Sequence, residues 1–427
     1  MDGSSRRGGR SNRDASYPHL ARRLGTGDAV FLGLGSMIGA GVFAVFAPAA
    51  RAGGPGLLIG LAIAAAVAYC NATASAQLAA QYPTSGGTYV YGRERLGEWW
   101  GFLAGWGFVV GKTASCAAMA LAFAAYAAPT GWQRPVAVFA VAALAAVSYR
   151  GITRTARLTR LVVTVALTAL AVVVAAGLIG AEPDLLRADP LGDAGTTWYG
   201  VLQSAGLLFF AFAGYARIAT MGEEVRNPAR TIPRAIQIAL LLTVVVYTLV
   251  AVTLLTVLGA EGVAATTAPL AAAVDAGTWE WAAAIVRIGG AAAALGALLA
   301  LVAAVGRTTL AMARENDLPG WLAAVHPRHR VPHHADTVLA VVVCLLVLVV
   351  DLRNAIGFSS VGVLFYYLIA NMAAFTQDRE HRRFPRALHI VGAAACAVLV
   401  VTLPVESVLA GLAVFAVGVG YRLTRRR

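Results

Sequence analysis

The feature that most constrains this chain is the recurrence, from residue 29 almost to the C-terminal end, of apolar runs of bilayer length. A membrane-crossing helix needs about 20 predominantly apolar residues. Such runs are expected as spans near 28–50, 55–80, 98–127, 135–149, 158–180, 199–222, 235–258, 283–309, 335–352, 355–375, 387–403 and 405–422. Only 13% of residues are charged and mean hydropathy is +0.71. Soluble domains carry about 25% charge, so an ordinary soluble domain is excluded and a polytopic helical membrane protein is expected.

Charge placement tests that arrangement. The net charge of +13 would point to nucleic acid in a soluble chain, but here the excess of cations on cytoplasmic connections explains it, and no nucleic-acid partner is expected. Numbered along the chain, the even connections carry the arginines: Arg93 and Arg95; Arg150, Arg154, Arg157 and Arg160; Arg226, Arg230 and Arg234; Arg307, Arg314, Arg328 and Arg330; and Arg379, Arg382, Arg383 and Arg386. The odd connections hold only Arg51, Arg134, Arg187 and Arg353, beside Glu182, Asp184, Asp189, Asp193, Glu261, Asp275, Glu280 and Glu406. Twelve spans with both termini in the cytoplasm fit this alternation. The first 24 residues form a Gly/Ser/Arg tail without an apolar core, so a disordered cytoplasmic tail is expected and a secretory signal is not.

Within the first span, residues 33–43 read GLGSMIGAGVF, with glycines at 33, 35, 39 and 41. Glycine costs about 1 kcal/mol relative to alanine inside a helix. Four in one span favour either a helix that stops and restarts around a ligand, or close packing through small residues. A second candidate interruption, Phe209-Phe210-Ala211-Phe212-Ala213-Gly214-Tyr215, lies five spans later. Interruptions in the first helix of each five-helix half mark an inverted-repeat transporter with substrate at the repeat interface. This pairing favours a transport site.

These stretches resemble the amino acid–polyamine–organocation superfamily of permeases. The matching residues are GLGSMIGAGVF, Gly53-Gly54-Pro55, YPTSGGTYVY at 82–91, FFAFAGY running to EEVRNPARTIPRAI at 223–236, and AMARENDLPGWLAAVHPR at 311–328. The resemblance implies an all-α membrane protein of twelve transmembrane helices. Its fold would be like that of the bacterial leucine transporter, a 5+5 inverted repeat with broken first and sixth helices plus two peripheral helices. Residues 1–24 would be the basic tail, 25–181 the first repeat, 198–375 the inverted second repeat, and 386–427 the peripheral helices with a basic end. It also implies secondary active transport of amino acids or related amines across the plasma membrane by alternating access. The N–H groups of Ile38, Gly39, Ala40 and Gly41 would hold the substrate carboxylate, with Ser36 counted among the binding residues. Carbonyls from Phe209 to Ala213 would receive the ammonium. Phe209, Phe212 and Tyr215 would form a side-chain pocket or an aromatic gate, with Ala213 and Gly214 counted among the binding residues.

Three departures bear on substrate and coupling. Lys112 is the single lysine of the chain and lies mid-span on a face with Gly105, Phe108, Ser115 and Met119. An ionisable group at that depth is costly and marks a functional site by default, as an anchor for an anion or a proton-carrying switch; a structural ammonium is the alternative. Arg217 follows the second interruption, within reach of Glu223 or Glu224. No Asp or Glu occupies the middle of a span, so neutral or anionic amino acids are expected over cationic ones. A cationic amino acid or polyamine permease, an exchanger, and a transport-deficient sensor are the alternatives. Protons, through Lys112, Glu223 or Glu224, are the candidate coupling ion. Residues 291–305 of the eighth span hold no Ser or Thr for sodium. The four cysteines sit in apolar spans, and neither a metal, a cofactor nor enzymatic chemistry is expected. The loop histidines His326, His329, His333 and His334 read as solvated groups rather than ligands.

Overall fold

The computed structural model describes residues 24–39, 41–83, 86–150, 156–179, 197–222, 224–329 and 331–425. The expected tail over 1–23 falls outside that range, as do Ala40 and Glu223. Among the described residues the chain is helical, apart from a single parallel bridge between Leu24 and Val225.

The chain opens with α1 (Thr26–Met37), α2 (Phe46–Gly53), α3 (Leu57–Gln81) and the short α4 (Thr88–Leu96). It continues through α5 (Glu98–Ala127), α6 (Gln133–Tyr149) and α7 (Ala156–Ile179). The second half begins with α8 (Trp198–Phe212) and α9 (Ala216–Ala219), followed by α10 (Pro228–Ala265), α11 (Pro269–Asp275) and α12 (Ala283–Arg314). The last four helices are α13 (His333–Val349), α14 (Leu352–Phe375), α15 (Arg386–Thr402) and α16 (Val405–Arg425). Each expected span coincides with helix. Among the described residues, eight continuous helical runs are long and apolar enough to cross a membrane, rather than twelve. The difference has local causes. The first expected span is split, α2 runs on through a Gly-Pro-Gly turn into α3, and α6, α13 and α15 are each 17 residues long.

Local chemistry sets the boundaries. Thr197 and Asp351 cap α8 and α14 by accepting from the backbone N–H groups of Gly200 and Asn354. Gly259 takes φ +66° inside α10, which bends the helix just past the expected end of its span at 258.

α5 forms the spine, packed chiefly against α12 and α14. Small residues allow this: a Cβ on Gly362 of α14 would meet Gly107 and Gly111 of α5. α16 lies on α14 with much of its surface exposed, and its last turn is anchored by charge. There Arg422 pairs with Asp317 and Glu98, donates to the Glu98 carbonyl, and stacks over Trp99 and Phe102. Arg93 pairs with Glu98, Glu315 and Asp317, and the Tyr89 hydroxyl donates to Asp317 at 2.9 Å. Burial and the Asp317 carboxylate push that hydroxyl well above its ordinary pKa.

Candidate functional site

The first interruption is real. α1 stops at Met37, and the described residues between Ile38 and Val45 form turns before α2 begins. The Ile38 N–H donates to Leu34 O at 2.7 Å and the Gly41 N–H to Met37 O at 3.3 Å. Ile38 therefore departs from expectation: its N–H is consumed by one more helical bond. Among the described residues, the N–H groups of Gly39, Val42 and Phe43 have no backbone acceptor. The available donors thus lie at Gly39 and, beyond the expected set, Val42 and Phe43.

The second interruption is a tightening rather than a gap. α8 passes into one 3-10 turn, Ala213–Tyr215, and straight on into α9. The Ala213 N–H donates to Phe209 O, so the Phe209 carbonyl, expected to be free, is used within the helix.

The two segments lie side by side in opposite directions, α1 along α9 and the 3-10 turn, α2 along α8. They touch through backbone. A Cβ on Gly41 would run into the Ala211 backbone, and one on Gly214 into Ser36 and Met37. Glycine is required at both points because no side chain fits between the two chains. Ser36 itself is half-buried, its hydroxyl bonded to Leu32 O at 3.0 Å.

Three tyrosine hydroxyls close the carbonyls exposed by this geometry. Tyr126 of α5 donates to Phe43 O at 3.0 Å, and Tyr367 of α14 to Ala213 O at 3.2 Å. Tyr247 of α10 reaches both Met37 O, at 2.8 Å, and Ala211 O, at 3.2 Å. All three are buried, as a phenol needs a partner when it leaves water. The expected pocket aromatics pack on them: Phe209 and Tyr215 against Tyr367, Phe212 against Tyr247. Sequence reasoning missed these tyrosines. Their signal was a polar-tipped ring inside otherwise apolar runs, as in the VVVYTLV stretch around Tyr247.

The charged candidates divide. Lys112 is buried in α5, one turn from Phe108, whose ring meets Tyr366. Among the described residues its ammonium has no hydrogen bond or ion pair. Arg217 is brought to Glu224, 4.0 Å apart and part-exposed, the pairing weighed from the sequence. His326, His329 and His333 stack around Tyr149, away from the crossing.

An all-helical chain with membrane-length apolar helices, organised around two antiparallel interrupted helices, defines the class as a polytopic membrane protein. The chain belongs to the amino acid permease family, whose sequence model matches residues 24–419. It is a transporter and not an enzyme. An uncharacterised transporter of Mycobacterium tuberculosis is 58% identical over 95% of this chain and 92% of its own length. The branched-chain amino acid permease BcaP of Bacillus subtilis is 26% identical, covering 87% of this chain and 84% of the permease. Cationic amino acid transporter 4 of Homo sapiens is 29% identical over 82% of this chain and 58% of its own.

Proposed function

We propose that this chain is a secondary active permease of the plasma membrane that moves neutral or anionic amino acids by alternating access. In this reading α1 with α2, α3, α5, α6, α7, α8 with α9, α10, α12, α13, α14, α15 and α16 supply twelve spans with both termini cytoplasmic. The halves 25–181 and 198–375 form the inverted repeats, and α15 and α16 lie at the periphery. The observation that carries it is the crossing of Gly41 on Ala211 and Gly214 on Ser36, which brings unbonded N–H groups and convergent carbonyls together in the protein interior. A zwitterion offers the matching groups. Its carboxylate suits the Gly39 and Val42 N–H groups in the turn between α1 and α2, and its ammonium suits the carbonyls of Met37, at the C-terminal end of α1, and Ala211.

The preference against cationic substrates rests on Lys112, a buried ammonium with no partner among the described residues. It repels a second cation and favours a carboxylate. The relatives' names point both ways, to branched-chain and to cationic amino acids. Coupling runs through protons or by exchange, because the Ala291 to Val305 stretch of α12 offers no hydroxyl to sodium.

The test is uptake of a panel of radiolabelled amino acids into proteoliposomes by wild type and Gly214→Val. Wild type is expected to accumulate a neutral or anionic amino acid. The variant is expected to lose about tenfold or more, equivalent to about 1.4 kcal/mol of lost complementarity, while remaining helical. Binding without flux in wild type would make the chain a sensor, and accumulation of cationic amino acids alone would reverse the substrate assignment.

A further inference from the structure

We propose that the Tyr247 hydroxyl is the latch of the unloaded carrier, the donor that a substrate ammonium displaces from Met37 and Ala211. This rests on the permease reading and adds to it the residue that governs the return step.

The geometry singles out Tyr247 among the three tyrosines. Tyr126 and Tyr367 each serve a single carbonyl. Tyr247 reaches two, and they belong to different interrupted segments: Met37 ends α1, and Ala211 lies in α8. A phenol has one proton, so these two acceptors share it, and Met37 O is otherwise served by the long 3.3 Å bond from the Gly41 N–H. An ammonium brings three donors to the same point. Met37 is also the C-terminal end of α1, where the helix dipole favours a cation over a neutral hydroxyl. Hydroxyl and ammonium cannot occupy one position, so arrival of the substrate amine requires Tyr247 to withdraw. The ring has apolar walls along which to move, with Phe46 and Phe212 at centroid distances of 6.5 and 5.0 Å.

The consequence is kinetic. A carrier that changes sides unloaded must close over bare carbonyls, and at membrane depth those need a donor. Tyr247 supplies it. Loaded, the carrier does not need the hydroxyl, because the ammonium takes its place. Removing the hydroxyl therefore penalises the unloaded return and leaves the loaded crossing intact.

Tyr247→Phe keeps the ring and removes the single O–H. Two fluxes are compared in proteoliposomes using the amino acid wild type transports best: exchange against internal substrate, and net uptake into substrate-free vesicles. Exchange is expected to stay within about twofold of wild type, with a lower half-saturating concentration, while net uptake falls about tenfold, the factor expected for one lost buried hydrogen bond. Equal losses in both fluxes, or none in either, overturn the latch. Thermal melting of the purified variant gives a second reading: the substrate-free form should melt lower than wild type and the substrate-bound form should not. A substrate-induced shift no larger than that of wild type counts against the proposal. Wild type that shows neither flux with any amino acid fails the permease reading itself and takes the latch with it. Normal wild-type fluxes with an unchanged ratio in the variant fail the latch alone.

Discussion

Two of the polar assemblies buried in this largely apolar bundle are built from opposite chemistries. At the crossing of the interrupted helices, the groups are neutral: peptide carbonyls, peptide N–H groups and tyrosine hydroxyls. At the end where α4, the C-terminus of α12 and the last turn of α16 meet, they are formal charges, with Arg422 and Asp317 each only 6% exposed. Neutral hydrogen bonds contribute about 1 kcal/mol each and exchange partners readily. A buried ion pair resists separation, because removing either partner strands the other in a low dielectric. In the proposed alternating-access cycle, the first chemistry suits parts that would separate on each turn, and the second suits parts that would stay joined.

The contrast can be broken first at its charged end. Asp317→Ala removes the buried carboxylate that Arg422 and Arg93 share and leaves them the exposed Glu98 in common, and a loss of about 3–5 kcal/mol is expected in the unfolding of the purified protein. A loss below about 1 kcal/mol would reduce the cluster to a surface pair. Replacing both partners, as in Asp317→Leu with Arg422→Met, should cost less than the single change, since no charge is then stranded.

A sharper test concerns Lys112, the charge buried in α5. Lys112→Met removes a buried ammonium with no partner among the described residues, so the melting temperature should hold or rise while amino acid uptake falls. Lowered stability with normal uptake and an unaltered pH profile would make Lys112 structural. The smallest effect is expected at Glu224→Gln. Its pair with Arg217 is 4.0 Å long, with the side chains 34% and 33% exposed, and should shift stability by under about 1 kcal/mol in a melting experiment. A larger shift would place this pair with the charged clamp.

Much of the helix layout was legible in the sequence because apolar run length and glycine content are local properties. The span expected at 98–127 coincides with α5, and the glycines of 33–43 mark where α1 stops. The second interruption was legible in position but not in kind. Gly214 is needed there for contact with Ser36 and Met37, a requirement set by a neighbouring chain, and the helix answers by tightening rather than opening. The tyrosine caps were hidden for a related reason. Tyr247 lies 210 residues from Met37, and nothing along the sequence tells a capping phenol from a packing one. Arg422, read only as part of a basic tail, finds Asp317 at a separation of 105 residues.

The parallel bridge at Leu24 has a mechanical consequence. The Leu24 N–H bonds to Glu224 O at 3.1 Å and the Arg226 N–H to Leu24 O at 2.9 Å. The strand entering α1 is thereby geared to the strand leaving α9. Neither can swing outward without dragging the other, so in the proposed alternating-access cycle the two half-helices at this end of the bundle would open as a single lever instead of two independent flaps.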